Sequence, residues 1–228
     1  MAEPLRQDPL SYEIRRSDRA RRVRVGVEHD GRVFVTLPRR ARERDAERAV
    51  VELRGWIERR LAETAARDAR MAGTPGTVPY LGAELVLRPE PGRSRVHRCG
   101  DVLLVPADRA ARAAAIERFY RRAARAEIAP RLDEAAATIG RTYTALTIRN
   151  QRTRWGSCST SGAMSFNWRL LLAPEDVLDY VVWHEACHLA VMDHSPRFWG
   201  LLAVHRPGYR GPQRWLSRNG AGLVLPGA

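Results

Sequence analysis

The segment from Pro174 to Ala190 constrains the fold more than any other part of the chain. It begins with a proline and two acids, which favour the first turn of an α-helix because proline has no N–H to lose there and acids suit the positive helix end. We therefore predict a helix that continues through His188. At four-residue spacing His184 and His188 project from one helix face, one turn apart, and Glu185 lies beside that face.

These two histidines can bind one metal ion, and a third histidine follows six residues later. On a continuing helix His194 would point about 240° away from His188, but a turn after Ala190 would bring it back to the ion. Three protein ligands with an open fourth position are typical of a catalytic zinc site. The spacing therefore predicts a Zn²⁺ ion held by His184, His188 and His194. Glu185 is then the predicted catalytic residue, which activates a zinc-bound water.

Two neighbours of the histidines limit the type of site. The histidine spacing equals that of metzincins, but Val191 stands where they have glycine. A β-branched residue does not easily adopt positive φ, so the turn toward His194 must be made differently here. Cys187 lies about 100° around the helix from His188, and we predict a small core residue and not a ligand. The alternative, a helix that merely buries hydrogen-bonded polar groups, does not account for the third histidine.

Alternating apolar residues predict a β-hairpin near the N-terminus. Strands are expected at about 21–28 and 32–37, joined by a turn at His29-Asp30-Gly31, because valines alternate with polar residues on both sides of an Asp-Gly pair. After Pro38 the apolar residues recur at helical spacing. This change of period predicts one long amphipathic helix from about 42 to 71.

A small β-subdomain is predicted to complete this accessory part. Residues 73–79 form a connector rich in turn residues, and short strands are expected at 84–88 and 102–105. The predicted division is therefore into residues 1–105, with the hairpin, the amphipathic helix and the β-subdomain, and residues 106–228, the catalytic core. We expect the two parts to form one compact unit.

The catalytic core is predicted to begin with an alanine-rich helix that starts at Asp108. Pro130 should kink or stop this helix, because proline lacks an N–H and its ring clashes with the preceding turn. A second helical piece should then end near Gly140. Strands are expected at Thr147–Arg149 and Met164–Trp168.

The net charge and the cysteine content give information about binding partners and the cellular compartment. The formal net charge of +13 suggests a nucleic acid, an anionic membrane or an acidic substrate. All 39 basic residues are arginine, as expected where genome composition biases codon use, so the excess alone identifies no partner.

Three cysteines at no disulfide spacing fit a reducing compartment. The chain shows neither an apolar signal segment nor the ~18 apolar residues that span a bilayer, so we expect a cytoplasmic protein that does not associate with membranes.

A set of ordered motifs extends the pattern around the histidines. These motifs are Arg154-Trp155-Gly156-Ser157-Cys158-Ser159, Ser165-Phe166-Asn167-Trp168-Arg169-Leu170, Ala173-Pro174, Asp179-Tyr180-Val181-Val182, His184-Glu185-x-x-His188 and His194-Ser195-Pro196-Arg197-Phe198-Trp199. In this order they resemble the YgjP-like metallopeptidase domain family, which is related to the SprT-like and WLM zinc proteases. The resemblance covers nearly the whole chain and is strongest from about Arg149 to Trp215.

The resemblance implies an α+β fold with a zincin-like catalytic core, in which an antiparallel sheet lies beside the helix that carries the HExxH motif. A small N-terminal part of strands and helix would be appended to this core. The resemblance also implies zinc on the three histidines, Glu185 as the catalytic acid and base, and a peptide or protein substrate.

Further residues are candidates for contact with the substrate. Arg154 and Trp155 are expected on or near a sheet edge, since the connection that follows them is rich in small turn residues. A peptidase needs such an edge to hold an extended peptide by main-chain pairing. Arg154 and Asn167 are predicted to orient the substrate or the catalytic loop. Candidate donors to an oxyanion are Arg154, His205 and Tyr209.

Two other functions stay open. The same metal site could hydrolyse a nucleotide or a phosphate ester, which the arginines would help to hold. The chain could instead be a nucleic-acid-binding protein with a structural or vestigial zinc site, as the basic charge and the DNA-linked roles of SprT-like relatives suggest. The intact Glu185 favours catalysis, because a purely structural site has no need of it.

Overall fold

A computed structural model gives the architecture of residues 10–28, 31–71, 74–151 and 153–225. The chain folds as two compact units, residues 1–71 and 72–228. Both units combine helices with small sheets, so the predicted α+β class is confirmed. The zincin-like arrangement of the core stays a prediction.

The N-terminal unit has a three-stranded sheet and two helices among its described residues. Its elements are β1 (Tyr12–Ser17), β2 (Arg24–Val27), β3 (Val33–Pro38), α1 (Glu43–Glu52) and α2 (Arg54–Met71). The central strand β3 pairs antiparallel with β2, which confirms the predicted hairpin, and parallel with β1, a strand absent from the sequence prediction. His29 and Asp30 of the predicted turn lie outside the described residues.

Alternate hydrophobic residues of β3 form one side of the hydrophobic core of this unit. Val33, Val35 and Leu37 are buried on one face of the strand, where hydrophobic side chains of both helices cover them. The buried helical residues are Ala46, Val50 and Ile57. The period-two strand and the helical stripe that the sequence predicts therefore meet in one hydrophobic core.

The predicted single helix over residues 42–71 is wrong, because the helix breaks at Leu53. The ψ angle of Leu53 is 9°, outside the helical range. Gly55 follows two residues later, and its backbone freedom weakens a helix at this point. The break leaves the Leu53 side chain 41% exposed, although its place in the apolar stripe predicts burial.

The C-terminal unit contains two sheets and four α-helices among its described residues. The first elements are β4 (Thr77–Tyr80), β5 (Ala83–Glu90), β6 (His97–Cys99), β7 (Val102–Pro106) and α3 (Arg109–Ile139). The later elements are β8 (Ala145–Arg149), β9 (Gly156–Cys158), β10 (Ala163–Asn167), α4 (Glu175–Cys187), α5 (Pro196–His205) and α6 (Arg210–Asn219), with 3-10 turns at Trp168–Leu172 and Gly220–Gly222. Across the described ranges, no helix is both long and apolar enough to cross a membrane.

The first sheet of this unit, in the order β4-β5-β7-β6, packs on α3. The Tyr120 hydroxyl of α3 donates to the Pro79 carbonyl, and the Tyr80 hydroxyl donates to the Glu127 carboxylate at 3.0 Å. These contacts join the sheet to the same unit as α3. The compact units therefore divide near residue 71, whereas the sequence pattern places the boundary near 105, because a local pattern does not show which helix covers a strand.

Helix α3 continues through Pro130, so the predicted division into two helical pieces is wrong. Pro130 is exposed, and the carbonyl that loses its helical partner can therefore bond water. Ile128 and Leu132 are fully buried and hold the helix against the core on both sides of the proline. The helix begins after Asp108 and ends at Gly140, whose φ is 68°, as predicted.

The second sheet has the strand order β8-β10-β9 and is mixed. The central strand β10 is antiparallel to β9 but parallel to β8, so the predicted antiparallel sheet is wrong for the second pair. The sequence pattern assigns residues 156–158 to a turn, but they form an extra strand, and the chain then enters β10 in the same direction as β8. The short strand β9 becomes the edge of the sheet and lies against α4.

Helix α4 is held on α3 by a network of ion pairs around Arg131. The guanidinium donates to Glu127 of its own helix at 2.6 Å and to Asp179 of α4 at 3.1 Å. It also donates to Glu175 in the first turn of α4. The Arg131 side chain is 23% exposed, so solvent screens these pairs less than it screens pairs at the open surface. The network therefore fixes the helix that carries the HExxH motif.

Replacing Arg131 with glutamine should lower the free energy of unfolding by about 1–3 kcal/mol, because three carboxylates lose their shared partner. Arg121→Gln is the matched control, since Arg121 pairs with Glu117 within α3 and both side chains are more exposed. Its expected effect is below about 0.5 kcal/mol. Urea denaturation measures both values, and equal losses would contradict a special role for Arg131.

Candidate metal centre

The three histidines predicted from the sequence converge at the end of α4. His184 lies in the last turn and His188 caps the helix, with ring centroids 5.0 Å apart. His194 returns to them, and its Nε2 lies 3.0 Å from Nε2 of His184. One nitrogen of each ring lies within 4.8 Å of the other two. One metal ion can be bound by three nitrogens at this spacing.

The chain reverses after His188 through a tight turn. Backbone N–H groups of residues 189–191 donate to carbonyls in the last turn of α4. Val191 has no positive φ, since Leu81 is the one non-glycine residue with positive φ in the described ranges. The turn is therefore made without the glycine of metzincins, as the sequence predicts. The Val191 carbonyl accepts from Nδ1 of His188 at 3.0 Å, which leaves Nε2 of that ring available for a metal.

Aromatic side chains of α5 pack against the three imidazoles. Phe198 is fully buried, and its ring centroid lies 4.9 Å from that of His184, 4.5 Å from that of His188 and 4.8 Å from that of His194. Trp199 stacks on His194 at 5.5 Å. The sequence contains both residues in a motif but gives no signal of this contact, because it depends on how α5 packs beside α4.

The environment of His184 and His188 favours the neutral form of their imidazoles. Burial, followed by repulsion from His188 and His194, lowers the pKa of His184 to about 3. Burial also lowers the pKa of His188, against the opposing effect of the Val191 carbonyl. Nδ1 of His184 is buried and has no hydrogen-bond partner among the described residues, so the main interaction of that ring is on its Nε2 side. Neutral imidazole nitrogens form the kind of donor set that divalent transition metals bind.

Glu185 lies beside the histidines and is 7% exposed. Burial raises the pKa of its carboxyl to about 7, while the positive charge of Arg154 and the backbone N–H of Cys158 oppose the shift. A carboxyl group in this position can accept a proton and later release it.

Gly156 of the edge strand β9 makes the close approach of this carboxylate possible. A Cβ atom at position 156 would lie 2.5 Å from Cγ and 2.6 Å from Oε1 of Glu185. Real Cβ contacts are longer, so any other residue here must displace the Glu185 side chain or the strand. The sequence signal for this role is the glycine of the Arg154-to-Ser159 motif, which the pattern assigns only to a turn.

The three histidines and Glu185 share one cavity of about 290 Å³. Its wall combines the end of α4, the turn that follows it and the edge strand β9. The lining residues are Arg154, Gly156, Ser157, Cys158, His184, Glu185, His188, Met192 and His194. A ligand in this cavity therefore meets the histidines, the carboxylate, one arginine and a strand edge together.

Asn167, a predicted substrate residue, lies behind this cavity. It is 1% exposed, and its Nδ2 donates to the carbonyl of Gln151 at 2.7 Å and to that of Arg154 at 3.4 Å. Its side chain therefore holds the loop before β9. Of the two predicted roles, these contacts favour orientation of the loop.

Tyr209 and His205 do not line the cavity with the three histidines. Both line a separate cavity of about 360 Å³. Tyr209 stacks on Trp199 at 5.5 Å and so reaches His194 only through that ring. Cys187 is fully buried, which confirms the prediction of a core residue.

Comparison with known proteins gives one match over most of the chain. The family model of the YgjP-like metallopeptidase domain matches residues 21–219, which confirms the resemblance predicted from the motifs. No curated protein is significantly similar to the chain. Among solved structures, the metallopeptidase zymogen abylysin of Pyrococcus abyssi is 21% identical, over 40% of this chain and 93% of that chain. Its TM-score of 0.36 is too low for the two folds to be equated.

Gly156→Ala should lower the free energy of unfolding by about 1–3 kcal/mol, because the added methyl group overpacks the contact with the buried Glu185 side chain. Gly200→Ala is the matched control, since a Cβ at that helical position meets no atom within 4 Å. Alanine there should stabilise the protein by up to about 1 kcal/mol through helix propensity. Thermal or urea unfolding of both variants tests the prediction, and a neutral Gly156→Ala would show that the contact yields easily.

Proposed function

The chain belongs to the YgjP-like metallopeptidase domain family, and we propose that it is a zinc-dependent peptidase that cleaves peptide bonds with an activated water. One observation carries the proposal. Three imidazoles and a buried glutamate open into the same cavity, beside the edge strand of a sheet. This arrangement combines a metal site, a proton carrier and a surface for an extended peptide.

Zinc suits the three histidines. It binds histidine nitrogen at about 2.0–2.1 Å in tetrahedral sites, which separates two nitrogens of one site by about 3.3 Å. The 3.0 Å between Nε2 of His184 and Nε2 of His194 is close to this value. Three protein ligands also leave the open position that a catalytic zinc needs. When bound, zinc supplies Lewis-acid chemistry, which lowers the pKa of water and polarises a carbonyl group.

Glu185 is the proposed proton carrier. Its carboxylate takes a proton from the attacking water and returns that proton to the nitrogen of the leaving amine. The buried position beside β9 keeps bulk water from competing for the carboxylate. Glu185 is not one of the three side chains whose ligand atoms lie together, which fits a proton carrier better than a ligand.

The edge strand β9 is the proposed binding surface for the peptide main chain. The Trp155 carbonyl and the Ser159 N–H bond to β10. Because hydrogen bonds alternate along an antiparallel pair, the backbone groups of Gly156 and Cys158 point away from β10. These residues line the cavity. The Cys158 N–H already bonds to the Glu185 carboxylate, so an extended peptide would pair with the other backbone groups of this edge, with its scissile bond near the histidines.

Arg154 is the proposed side-chain contact to the substrate, since it lines the cavity. Asn167 is proposed to act on the substrate indirectly, through the loop that carries Arg154. Tyr209 is likewise proposed to act indirectly, by supporting Trp199 against His194. The cytoplasmic location stays a prediction.

Two alternatives use the same residues. The site could hydrolyse a nucleotide or a phosphate ester, or zinc could be structural in a nucleic-acid-binding protein. A buried carboxylate costs free energy, and a structural zinc site gains nothing from it, so Glu185 favours hydrolysis. The strand edge in the cavity wall favours a peptide, because main-chain pairing is of no use to a phosphate ester.

Glu185→Gln should reduce peptide cleavage about 10²–10⁴-fold while the zinc content stays the same, because the change removes the proton carrier and keeps the shape of the side chain. Glu117→Gln on α3 is the matched control and should keep full activity. Zinc-loaded proteins are compared on unfolded proteins, short peptides and a nucleotide panel. A loss confined to nucleotides would support the phosphate-ester alternative, and wild type that cleaves nothing would end the catalytic proposal.

Protein purified without added zinc should contain about one zinc ion per chain, and His194→Ala should lower zinc affinity sharply because it removes one of three ligands. His97→Ala, which changes an exposed histidine of β6, is the matched control. Metal analysis and competition with a chromogenic chelator measure occupancy and affinity. Full occupancy and unchanged affinity in His194→Ala would show that the third ligand is another group.

A further inference from the structure

Arg154 is the cationic side chain in the wall of the cavity, apart from the histidines. Its side chain is exposed, and within the described parts of the chain its guanidinium makes no hydrogen bond or ion pair. Arg131 shows the contrast, since it binds three carboxylates between α3 and α4. The guanidinium of Arg154 therefore has all of its donors available to a ligand.

The backbone that carries this guanidinium is held in place. Asn167, which is almost fully buried, donates from its side chain to the carbonyls of Gln151 and Arg154 and from its backbone to the Trp155 carbonyl at 2.8 Å. The Trp155 ring packs so closely on Gly220 that a Cβ there would lie 2.9 Å from Cζ2. These contacts fix both sides of Arg154. The backbone position of Arg154 is therefore set before a ligand binds, which reduces the backbone entropy lost on binding.

The charges of the cavity show what this arginine can bind. The acidic residue in the cavity wall is Glu185, whose buried carboxylate lies near Arg154 without pairing with it and is assigned to proton transfer. The positive charge of Arg154 is thus not neutralised inside the site. A guanidinium matches the two oxygens of a carboxylate in a bidentate pair, and a neutral amide gives a weaker contact.

We propose that Arg154 forms a subsite for a carboxylate of the peptide substrate, placed next to the bond that is cleaved. The inference rests on the proposed peptidase function and adds a substrate class to it. The carboxylate comes either from an aspartate or glutamate side chain near the scissile bond or from the C-terminus of the peptide. In the second case the protein removes short fragments from chain ends.

Matched peptides separate the two sources. In one series a single position near the scissile bond is Glu or Gln, and in the other the C-terminus is a free carboxylate or an amide. Zinc-loaded wild type should prefer the carboxylate form of one series about 10–100-fold in kcat/KM, since charge-assisted bidentate pairs are strong. Arg154→Gln should bring this ratio close to one, mainly through KM, and Arg154→Lys should restore part of it. Arg118→Gln, which removes an exposed arginine of α3, should keep the wild-type ratio.

Binding without cleavage keeps this test independent of the peptidase proposal. Zinc-loaded Glu185→Gln is titrated with the same peptides, with and without Arg154→Gln, and calorimetry measures the ratio of Kd values. Loss of carboxylate preference on removal of Arg154 supports the subsite even if wild type cleaves nothing, in which case only the peptidase proposal fails. The subsite is overturned if wild type shows no carboxylate preference or if Arg154→Gln leaves the ratio unchanged. An equal fall in kcat for both members of a pair would instead assign Arg154 to the oxyanion.

Discussion

The contact between Glu185 and Gly156 is the constraint on which the rest of the site depends. Helix α4 brings Glu185 against the edge strand β9, and the missing side chain at position 156 allows an approach so close that a Cβ there would displace the Glu185 side chain or the strand. The same contact joins the two halves of the cavity, since α4 supplies the histidines and β9 supplies the edge. A methyl group at position 156 would therefore disturb the contact between the Glu185 carboxylate and the edge strand.

The support of the three imidazoles is mostly apolar. Phe198 touches all three rings, and Nδ1 of His188 donates a hydrogen bond to the Val191 carbonyl, which orients the ring. Apolar surroundings disfavour the imidazolium form of His184 and His188, and they strengthen the interaction of a charge with any donor placed there. Burial lowers the pKa of His184 and raises that of Glu185, so one physical cause shifts both groups in the directions that the proposed mechanism needs.

Local features of this chain were predictable, and pairings between distant segments were not. The helix that ends at His188, the hairpin and the ends of α3 depend on spacing and capping residues near in sequence. The parallel pairing of β8 with β10, the extra strand β9 and the aromatic support by Phe198 depend on contacts between segments that no local period reveals. The predicted helix break at Pro130 is wrong. The burial of Ile128 and Leu132 on either side of the proline stabilises the helix by more than the proline destabilises it.

The arginine excess can be interpreted residue by residue once the hydrogen-bond and ion-pair partners of individual arginines are known. Composition gives every arginine the same weight. Arg131 holds two helices together, whereas Arg154 lies at the wall of a cavity and its guanidinium has no hydrogen-bond or ion-pair partner among the described residues. Ion pairs such as those of Arg131 contribute to net charge without offering anything to a ligand. Whether an arginine can bind an anionic ligand therefore depends on whether other residues of the protein already pair with it and on how firmly its backbone is held. The formal net charge of +13 gives neither piece of information.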